Sequence, residues 1–372
     1  MSERILIIGQ TNFRDTEKGI TVLKFDSDNC SFAFVQRYDT DVEAGQQYYD
    51  RKRKVLYICD ETNGHALKNA GGGRIYAYKV DKESGVLTKQ NYLDCLMTKT
   101  SYCWLSKSGN YLLYSCHAGS GVVSKVVRGD DGSFRSSIVF EDGGIGVMKL
   151  NGDGSLDKIS DVVTFDPIFR PEKLCMPHCH SIKASPDGSI FYSCDKGLDK
   201  IYSFSLDEES GRLVRKAEKQ MPLFTAPRYL AFHPTLDVLY ENNETSNTLY
   251  AFRYEKNSGE LTEICQAEQT DATECMPSDL VIDEKGEYLY SGLRKVNQIA
   301  VFKIHKDGSF TKIQNIDNTD SPRGLCIVDQ YLMSANPSAG LIRVFEIQED
   351  GTLKDSGVTY SIANPGNIGV IR

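Results

Sequence analysis

The 372-residue sequence predicts an all-β fold, a seven-bladed β-propeller with four antiparallel strands per blade, in a single domain over residues 1–372. Three observations predict this fold. A proline-led strand recurs at blade-length intervals, a glycine turn recurs in step with it, and the strand missing at the N-terminus is found at the C-terminus. Sequence repeats of roughly 40 to 50 residues made of short strands are typical of propeller blades.

The proline-led unit begins the innermost strand of a blade. A turn, an aromatic-rich second strand and a third strand follow it, and the period-two alternation in these short runs indicates antiparallel strands. The copies are separated by 50, 50 and 45 residues. They are Pro177-His178-Cys179-His180, Pro227-Arg228-Tyr229-Leu230, Pro277-Ser278-Asp279-Leu280 and Pro322-Arg323-Gly324-Leu325, and we call their first residues the anchor prolines.

The pattern Ser/Asp-Gly-x-Leu/Phe marks the hairpin between the third and fourth strands, because glycine supplies the positive φ that a tight turn needs. Its glycines are Gly85, Gly132, Gly154, Gly211, Gly259, Gly308 and Gly351, and a degenerate copy lies at residues 29–32. Only 22 residues separate the second and third of these glycines, which is too few for a blade. We therefore count the two once, obtain seven blades, and predict an inserted hairpin at about 120–150.

The two ends of the chain predict how the ring closes. Residues 4–10 have the pattern of a second strand, and no first strand precedes them. Residues 364–371 repeat the proline-led first strand, 43 residues after Pro322. We expect this C-terminal strand to complete blade one, so that the closure leaves no open sheet edge.

Composition excludes several classes of partner and predicts a cytoplasmic protein. The net charge of −8 makes nucleic acid and anionic membranes unsuitable partners, although a local basic pocket could still bind an anion. The N-terminal apolar run is too short for a signal peptide, and no stretch approaches the roughly 18 apolar residues of a membrane span. Eleven cysteines without a C-x-x-C pair predict free thiols in a reducing compartment.

Polar side chains are predicted to converge at one mouth of the central channel, because each first strand starts where the second strand of the same blade ends. One residue after the anchor prolines and the C-terminal proline, the chain places His178, Arg228, Ser278, Arg323 and Gly366. Seventeen residues after the prolines come Cys194, Glu244 and Arg294, and strand-end alignment adds Asp60, Glu61, His117 and Asn336. This set predicts a pocket for a small anionic molecule.

Each of these residues also has a structural interpretation. His178 or His180 could be a core histidine bonded to backbone, and Arg228 or Arg323 could tie neighbouring blades through carboxylates. Zinc binding by the Cys175–His180 cluster is disfavoured, because adjacent strand residues face opposite sides, and we predict no metal site. The sequence has no Gly-x-Ser-x-Gly motif, which disfavours a serine hydrolase.

Two runs resemble the lactonase family of seven-bladed propellers, which includes 6-phosphogluconolactonases and carboxy-cis,cis-muconate lactonizing enzymes. They are Pro-His-Cys-His-Ser at 177–181 and Pro-Arg-Tyr-Leu-Ala-Phe-His-Pro at 227–234 with the Asn-Glu-Thr that follows. The resemblance implies catalytic roles for His180, Arg228 and Glu244, and Arg294 and Arg323 match further family arginines. With these two arginines, the predicted substrate-binding residues are His178, Glu61, Asn336 and His117.

The resemblance implies a 6-phosphogluconolactonase-like lactone (carboxylic ester) hydrolase, with 6-phosphogluconolactone as the expected substrate. Arginines would hold the anionic group and the oxyanion, and His180 or Glu244 would act as general base. Two alternatives remain open: cyclization of a carboxylated muconate, and a non-catalytic propeller that binds a metabolite or protein. We expect no cofactor, a small anionic lactone or carboxylate as partner, and a monomer or weak homo-oligomer.

Overall fold

A computed structural model describes residues 3–11, 17–64, 71–317 and 320–371. Its strands form seven four-stranded antiparallel sheets, which confirms the predicted propeller. No helix that could cross a membrane occurs among these residues. All eleven cysteines are free thiols, as the sequence predicts.

The strands follow one another from the channel outwards in every blade except the first. Blades one and two contain β1 (Glu3–Gln10), β2 (Gly19–Asp26) and β3 (Ser31–Tyr38), then β4 (Ala44–Asp50), β5 (Val55–Asp60), β6 (Arg74–Val80) and β7 (Leu87–Asp94). Blade three contains β8 (Thr100–Leu105) and β9 (Tyr111–Cys116), and after the inserted strands β10 (Val122–Arg128) and β11 (Phe134–Phe140) it continues with β12 (Gly144–Leu150) and β13 (Leu156–Thr164).

Blades four to seven repeat the same order after a short two-stranded ladder, β14 (Ile168–Phe169) and β15 (Leu174–Cys175). Blade four contains β16 (Cys179–Ala184), β17 (Phe191–Asp195), β18 (Lys200–Asp207) and β19 (Arg212–Gln220), and blade five β20 (Pro227–Phe232), β21 (Val238–Asn243), β22 (Thr248–Tyr254) and β23 (Leu261–Glu268). Blade six contains β24 (Pro277–Ile282), β25 (Tyr288–Leu293), β26 (Gln298–Ile304) and β27 (Phe310–Asp317). Blade seven contains β28 (Gly324–Val328), β29 (Tyr331–Asn336), β30 (Leu341–Ile347) and β31 (Leu353–Ser361), and β32 (Pro365–Ile371) ends the described chain.

The C-terminal strand closes the ring as predicted. β32 pairs antiparallel with β1, from Ile5 opposite Ile371 to Gln10 opposite Pro365, so blade one is built from both ends of the chain. Leu6 in β1 is fully buried. The pairing satisfies the edge of β1 that would otherwise be exposed to other chains.

The inserted hairpin is shorter than the range 120–150 expected from the sequence. β10 and β11 pair only with each other and cover 122–140. Residues 144–150 are instead β12, the third strand of blade three, because β12 pairs with β9 on one side and β13 on the other. The glycine interval located the extra hairpin, but it could not separate it from the blade strand that follows.

The turn glycines and the aromatic second strands together join neighbouring blades. All seven turn glycines have positive φ, between 71° and 89°. Three second-strand tyrosines donate their hydroxyl to the carbonyl of a turn glycine in the next blade: Tyr57 to Gly154 at 2.7 Å, Tyr240 to Gly308 at 2.9 Å and Tyr290 to Gly351 at 3.1 Å. The largest buried apolar cluster spans blades three to six.

Candidate active site

β-Bulges displace residues near the start of the innermost strands. In six of the seven blades the pairing of the first and second strands shifts register there. In blade four the additional residue is His180, between the paired residues Cys179 and Ser181, and in blade five it is Arg228. Bulges re-aim side chains and are frequent beside active sites. Neighbouring blades therefore present a histidine and an arginine from the same structural position.

The position of the bulge shows that the sequence alignment of blade four with blade five was two residues out of register. Blades five and six begin their first strand at the anchor proline, whereas blade four begins it at Cys179, two residues after Pro177. His180, and not His178, is therefore the equivalent of Arg228. His178 precedes the strand, and its backbone N–H donates to a carboxylate oxygen of Asp195 at 2.8 Å.

The same offset reveals Lys196, a rim residue that the sequence analysis missed. The residue expected there, Cys194, is buried inside β17, and Lys196 directly follows that strand. A simpler rule would have found it: the rim position is the first residue after the second strand. In blades two to six this residue is Glu61, His117, Lys196, Glu244 and Arg294.

Glu244 is the centre of an ion cluster at this mouth. Its Oε2 lies 2.6 Å from Nε of Arg228 and 3.0 Å from Nη2 of Arg294. Its Oε1 accepts a hydrogen bond of 2.9 Å from Nζ of Lys196. Arg294 also donates to two backbone carbonyls at the start of blade six, at 3.1 and 3.3 Å. Blades four, five and six are thus tied together through one carboxylate.

Three buried atoms of Arg228 and His180 have no hydrogen-bond partner among the residues that the structure describes. They are Nε and Nη1 of Arg228 and Nδ1 of His180, and the two residues are 1% and 7% exposed. Because Nε is ion-paired with Glu244 at 2.6 Å, Nη1 and Nδ1 are the atoms left for a ligand. Both side chains rest on Tyr229: the Arg228 guanidinium carbon is 4.7 Å from the centre of its ring, and the His180 ring centre is 5.2 Å away. Buried polar atoms are normally satisfied, so an unsatisfied donor and an unsatisfied ring nitrogen on two side chains that contact the same tyrosine mark a candidate ligand position.

Three histidines form a contiguous group beside this pair. The rings of His117 and His178 stack with centres 4.6 Å apart, and His117 meets His180 edge to face at 5.7 Å. Nδ1 of His178 hydrogen-bonds to the backbone carbonyl of His117 at 2.7 Å. The structure therefore brings all three predicted histidines together, and one ring nitrogen of His178 is engaged by backbone.

Arg323 and Glu61 form a second ion pair at the mouth, between blades seven and two. Nη2 of Arg323 lies 3.5 Å from Oε2 of Glu61. A side chain at Gly45 would collide with the Glu61 carboxylate, since an added Cβ would lie 2.5 Å from its Oε1. The charge of Arg323 lowers the pKa of His180, after the larger effects of burial and Arg228, so the two groups share one electrostatic environment.

Asn336, predicted to bind substrate, is hydrogen-bonded within its own strand. It is the last residue of β29, fully buried, and its amide donates to the backbone carbonyl of Ser334 at 2.8 Å. The corresponding Asp195 of blade four also serves the backbone, accepting from the N–H groups of His178, Gly197 and Leu198. In these two blades the last residue of the second strand thus bonds to backbone, and in blade four the residue after it, Lys196, joins the ion cluster.

The two candidate bases, His180 and Glu244, differ in the direction and cause of their pKa shifts. Burial and the positive charge of Arg228 hold the pKa of His180 well below its ordinary value, so its imidazole is neutral at pH 7. Burial alone would raise the pKa of Glu244, but the charges of Arg228, Lys196 and Arg294 outweigh it and lower that pKa far below the usual range. Glu244 is therefore a firmly ionised carboxylate with little tendency to take up a proton.

Among the ion-paired side chains of the mouth, cations outnumber carboxylates. Four cations, Arg228, Arg294, Arg323 and Lys196, face two carboxylates, Glu61 and Glu244, and burial keeps the nearby histidines neutral. In the part of the chain that the structure describes, no group of three or more histidine, cysteine or acidic residues is placed to hold a metal ion. The site can bind an anion and offer a neutral imidazole to a water molecule.

Comparison with known proteins agrees with this fold. The family model described as "Lactonase, 7-bladed beta-propeller" matches residues 5–370, and the chain belongs to that family. A 6-phosphogluconolactonase of Bacillus subtilis is 26% identical over 325 residues, covering 85% of this chain and 84% of its own length. A second 6-phosphogluconolactonase, from Pectobacterium carotovorum, is 25% identical over 59% of this chain and 66% of its own.

A solved structure has the same fold over the whole chain. It is a periplasmic gluconolactonase of Pseudomonas aeruginosa, which superimposes with a TM-score of 0.85 at 21% identity, covering 100% of this chain and 99% of the other. At this level of identity the likeness shows the shared architecture only.

Proposed function

We propose that this protein hydrolyses a sugar-acid lactone at the mouth defined by His180, Arg228 and Glu244. The observation that carries the proposal is the pair of buried, unsatisfied atoms, Nη1 of Arg228 and Nδ1 of His180, within a positively charged mouth. The relatives named 6-phosphogluconolactonase support 6-phosphogluconolactone as the substrate. Its phosphate matches the excess positive charge, and its carbonyl needs the donor and base that the pair supplies.

Hydrolysis begins with a water molecule held by His180. The neutral imidazole accepts a proton while the water oxygen attacks the lactone carbonyl, and the carbonyl becomes a negatively charged tetrahedral oxygen. Arg228 donates a hydrogen bond to this oxyanion from its unsatisfied Nη1–H. The low solvent exposure of the site strengthens this hydrogen bond. The bond from the carbonyl carbon to the ring oxygen then breaks, and the imidazolium returns its proton to the leaving alkoxide.

Glu244 positions the arginines and is not the base. Its oxygens hold Arg228, Arg294 and Lys196 in one arrangement, and its strongly lowered pKa makes it a poor proton acceptor. Of the two bases that the sequence allowed, the geometry favours His180. General-base catalysis contributes about 10² to 10⁴-fold in rate and an oxyanion donor about 10² to 10³-fold, which suffices for a lactone that also hydrolyses unaided.

The remaining cations bind the anionic end of the substrate. Arg323 and Lys196 lie on either side of His180 and Arg228. The ion pair between Arg323 and Glu61 is the longest at the mouth, with 3.5 Å between Nη2 and Oε2. A phosphate or carboxylate offers arginine a bidentate partner. We expect glucono-lactone, which is the same substrate without its phosphate, to bind more weakly than 6-phosphogluconolactone. The difference in kcat between the two substrates should be smaller than the difference in binding.

The test is the rate of 6-phosphogluconolactone hydrolysis above the spontaneous rate, with the acid product trapped by its NADP-dependent dehydrogenase. We expect turnover by the wild type and a loss of about 10²-fold or more in Arg228→Ala. The matched control is Arg253→Ala, which removes an exposed arginine from β22 of the same blade and should keep full activity.

A wild-type rate equal to buffer would eliminate this substrate. Turnover that survives Arg228→Ala unchanged would place the chemistry elsewhere. The first case leaves the two alternatives of the sequence analysis, which are distinguished by accumulation of an unsaturated lactone from carboxylated muconates or by binding without turnover. A cytoplasmic location and a monomeric or weakly associated state stay predictions.

A further inference from the structure

The opposite mouth of the channel holds a separate cavity. Five innermost strands line a space of about 700 Å³: β8, β16, β20 and β24 through their C-terminal ends, and β4 through Tyr48. At about 3.3 Å per residue, strands of six residues separate the two mouths by roughly 15 to 20 Å. Tyr102 lies between them: its ring centre is 5.7 Å from that of Tyr229 on one side and 5.5 Å from Nζ of Lys183 on the other.

The walls of this cavity are apolar and aromatic. Trp104 and Tyr48 meet edge to face, with ring centres 5.0 Å apart and planes at 67°. Phe232, Leu280 and Ile282 supply further apolar surface. Partly exposed aromatic rings of this kind bind planar apolar groups through large contact area at defined geometry.

A cation that makes no direct ion pair with the described residues lines the same cavity. No carboxylate of the described residues lies within ion-pair distance of Nζ of Lys183, and its one close ring contact is Tyr102. The nearby carboxylate of Asp279 accepts instead from the backbone N–H groups of Leu280 and Leu325, each at 2.9 Å. Burial lowers the pKa of Lys183, and the attraction of the nearby Asp279 carboxylate offsets this effect only in part. An anion placed here would supply that partner.

We propose that this cavity binds an arylalkyl carboxylate, with the carboxylate at Lys183 and the aromatic ring against Trp104. The volume lies within the range of about 300 to 1,000 Å³ that small-molecule sites occupy. The rim adds a second positive charge, Lys107, while the carboxylate of Asp187 is occupied by hydrogen bonds from Ser185 and Ser189. The proposal concerns a different mouth from the catalytic one and does not depend on lactone hydrolysis.

Trp104 makes the proposal directly measurable, because it is the only tryptophan in the sequence. Its fluorescence, excited at the red edge of tryptophan absorption, would be followed while 3-phenylpropionate is added to the full-length protein. The neutral 3-phenylpropanamide has nearly the same shape and serves as the charge control. We expect a saturable change in fluorescence with the carboxylate. The affinity for the amide should be about ten-fold or more weaker, because the amide lacks the charged oxygen that accepts a hydrogen bond from Lys183.

Lys183→Met keeps the apolar stem of the side chain and removes its charge. We expect the variant to bind 3-phenylpropionate only as weakly as the wild type binds 3-phenylpropanamide, while its rate of lactone hydrolysis stays unchanged. No saturable change in fluorescence and no heat of binding by calorimetry would overturn the proposal. Equal affinity for acid and amide in the wild type would also overturn it, as would loss of binding in Arg228→Ala but not in Lys183→Met.

Discussion

His180 and Arg228 are bulged residues at the same point of neighbouring blades, and this repetition brings the proposed catalytic pair together. The bulge turns one residue of each innermost strand out of the regular alternation. In other blades the position is held by small residues such as Ser101 and Gly366. Replacing small residues by a base and a guanidinium on adjacent blades creates a site without disturbing the strands.

The lowered pKa of His180 predicts the pH dependence of the reaction. A base must be neutral to accept a proton, and burial beside Arg228 keeps this imidazole neutral below the ordinary histidine pKa of about 6.5. We expect kcat/KM for lactone hydrolysis to stay constant as the pH falls through about 6.5 and to decline only at distinctly lower pH. The profile is measured with the spontaneous rate subtracted at every pH.

His180→Gln is the control for this profile. Glutamine keeps a polar side chain at the bulge but cannot take up the proton, so the residual activity should be about 10² to 10⁴-fold lower and lose the acidic limb. A wild-type profile that falls with an apparent pKa near 6.5, or a variant that retains the same limb, would show that another group is the base.

At the scale of the strand, the tyrosine-to-glycine hydrogen bonds are the regular ties between blades. Tyr240 is fully buried and donates to the carbonyl of Gly308 at 2.9 Å. We expect Tyr240→Phe to lower the free energy of unfolding by about 1 kcal/mol, because the ring is kept and only this hydrogen bond is lost. Urea denaturation measures the change, and the dependence on urea concentration should be unaltered.

The matched control is Tyr92→Phe, in β7. Its side chain is half exposed, so water replaces any partner that its hydroxyl loses. This variant should unfold within about 0.5 kcal/mol of the wild type. Equal effects of the two substitutions would mean that the inter-blade hydrogen bond contributes nothing measurable to stability.

Strand-level patterns explain which parts of the fold and site were predictable. Proline and glycine positions act locally, so they predicted the blades, the turn conformations and the closing strand. The mouth was predicted as a set, but Lys196 was missed, and Asn336 is the last residue of its strand and bonds to backbone. Lys196 was missed because a fixed offset from the anchor proline ignores the two additional residues before β16. The position of Asn336 depends on which residue is the last of its strand, and backbone hydrogen bonds, which the sequence does not show, decide that.

Across the whole molecule, the net charge and the charge of the mouth have opposite signs. The chain carries a net charge of −8, yet four cations outnumber two carboxylates around the pair of His180 and Arg228. A positive mouth in a negative surface concentrates anions at one place and disfavours their binding elsewhere. Ring closure by β32 keeps the blades that carry these residues at fixed separations, since every blade is held by two neighbours.

The most direct test of the proposed active site is a crystal structure of the wild-type protein with 6-phosphogluconate, the stable hydrolysis product. We expect one anionic group of the ligand within hydrogen-bond distance of Nη1 of Arg228, with the ligand also reaching Nδ1 of His180. We also expect Glu244 to keep its contacts to Arg228, Arg294 and Lys196. A ligand bound at the opposite mouth or on the outer strands, with both buried atoms still unsatisfied, would contradict the assignment of the active site.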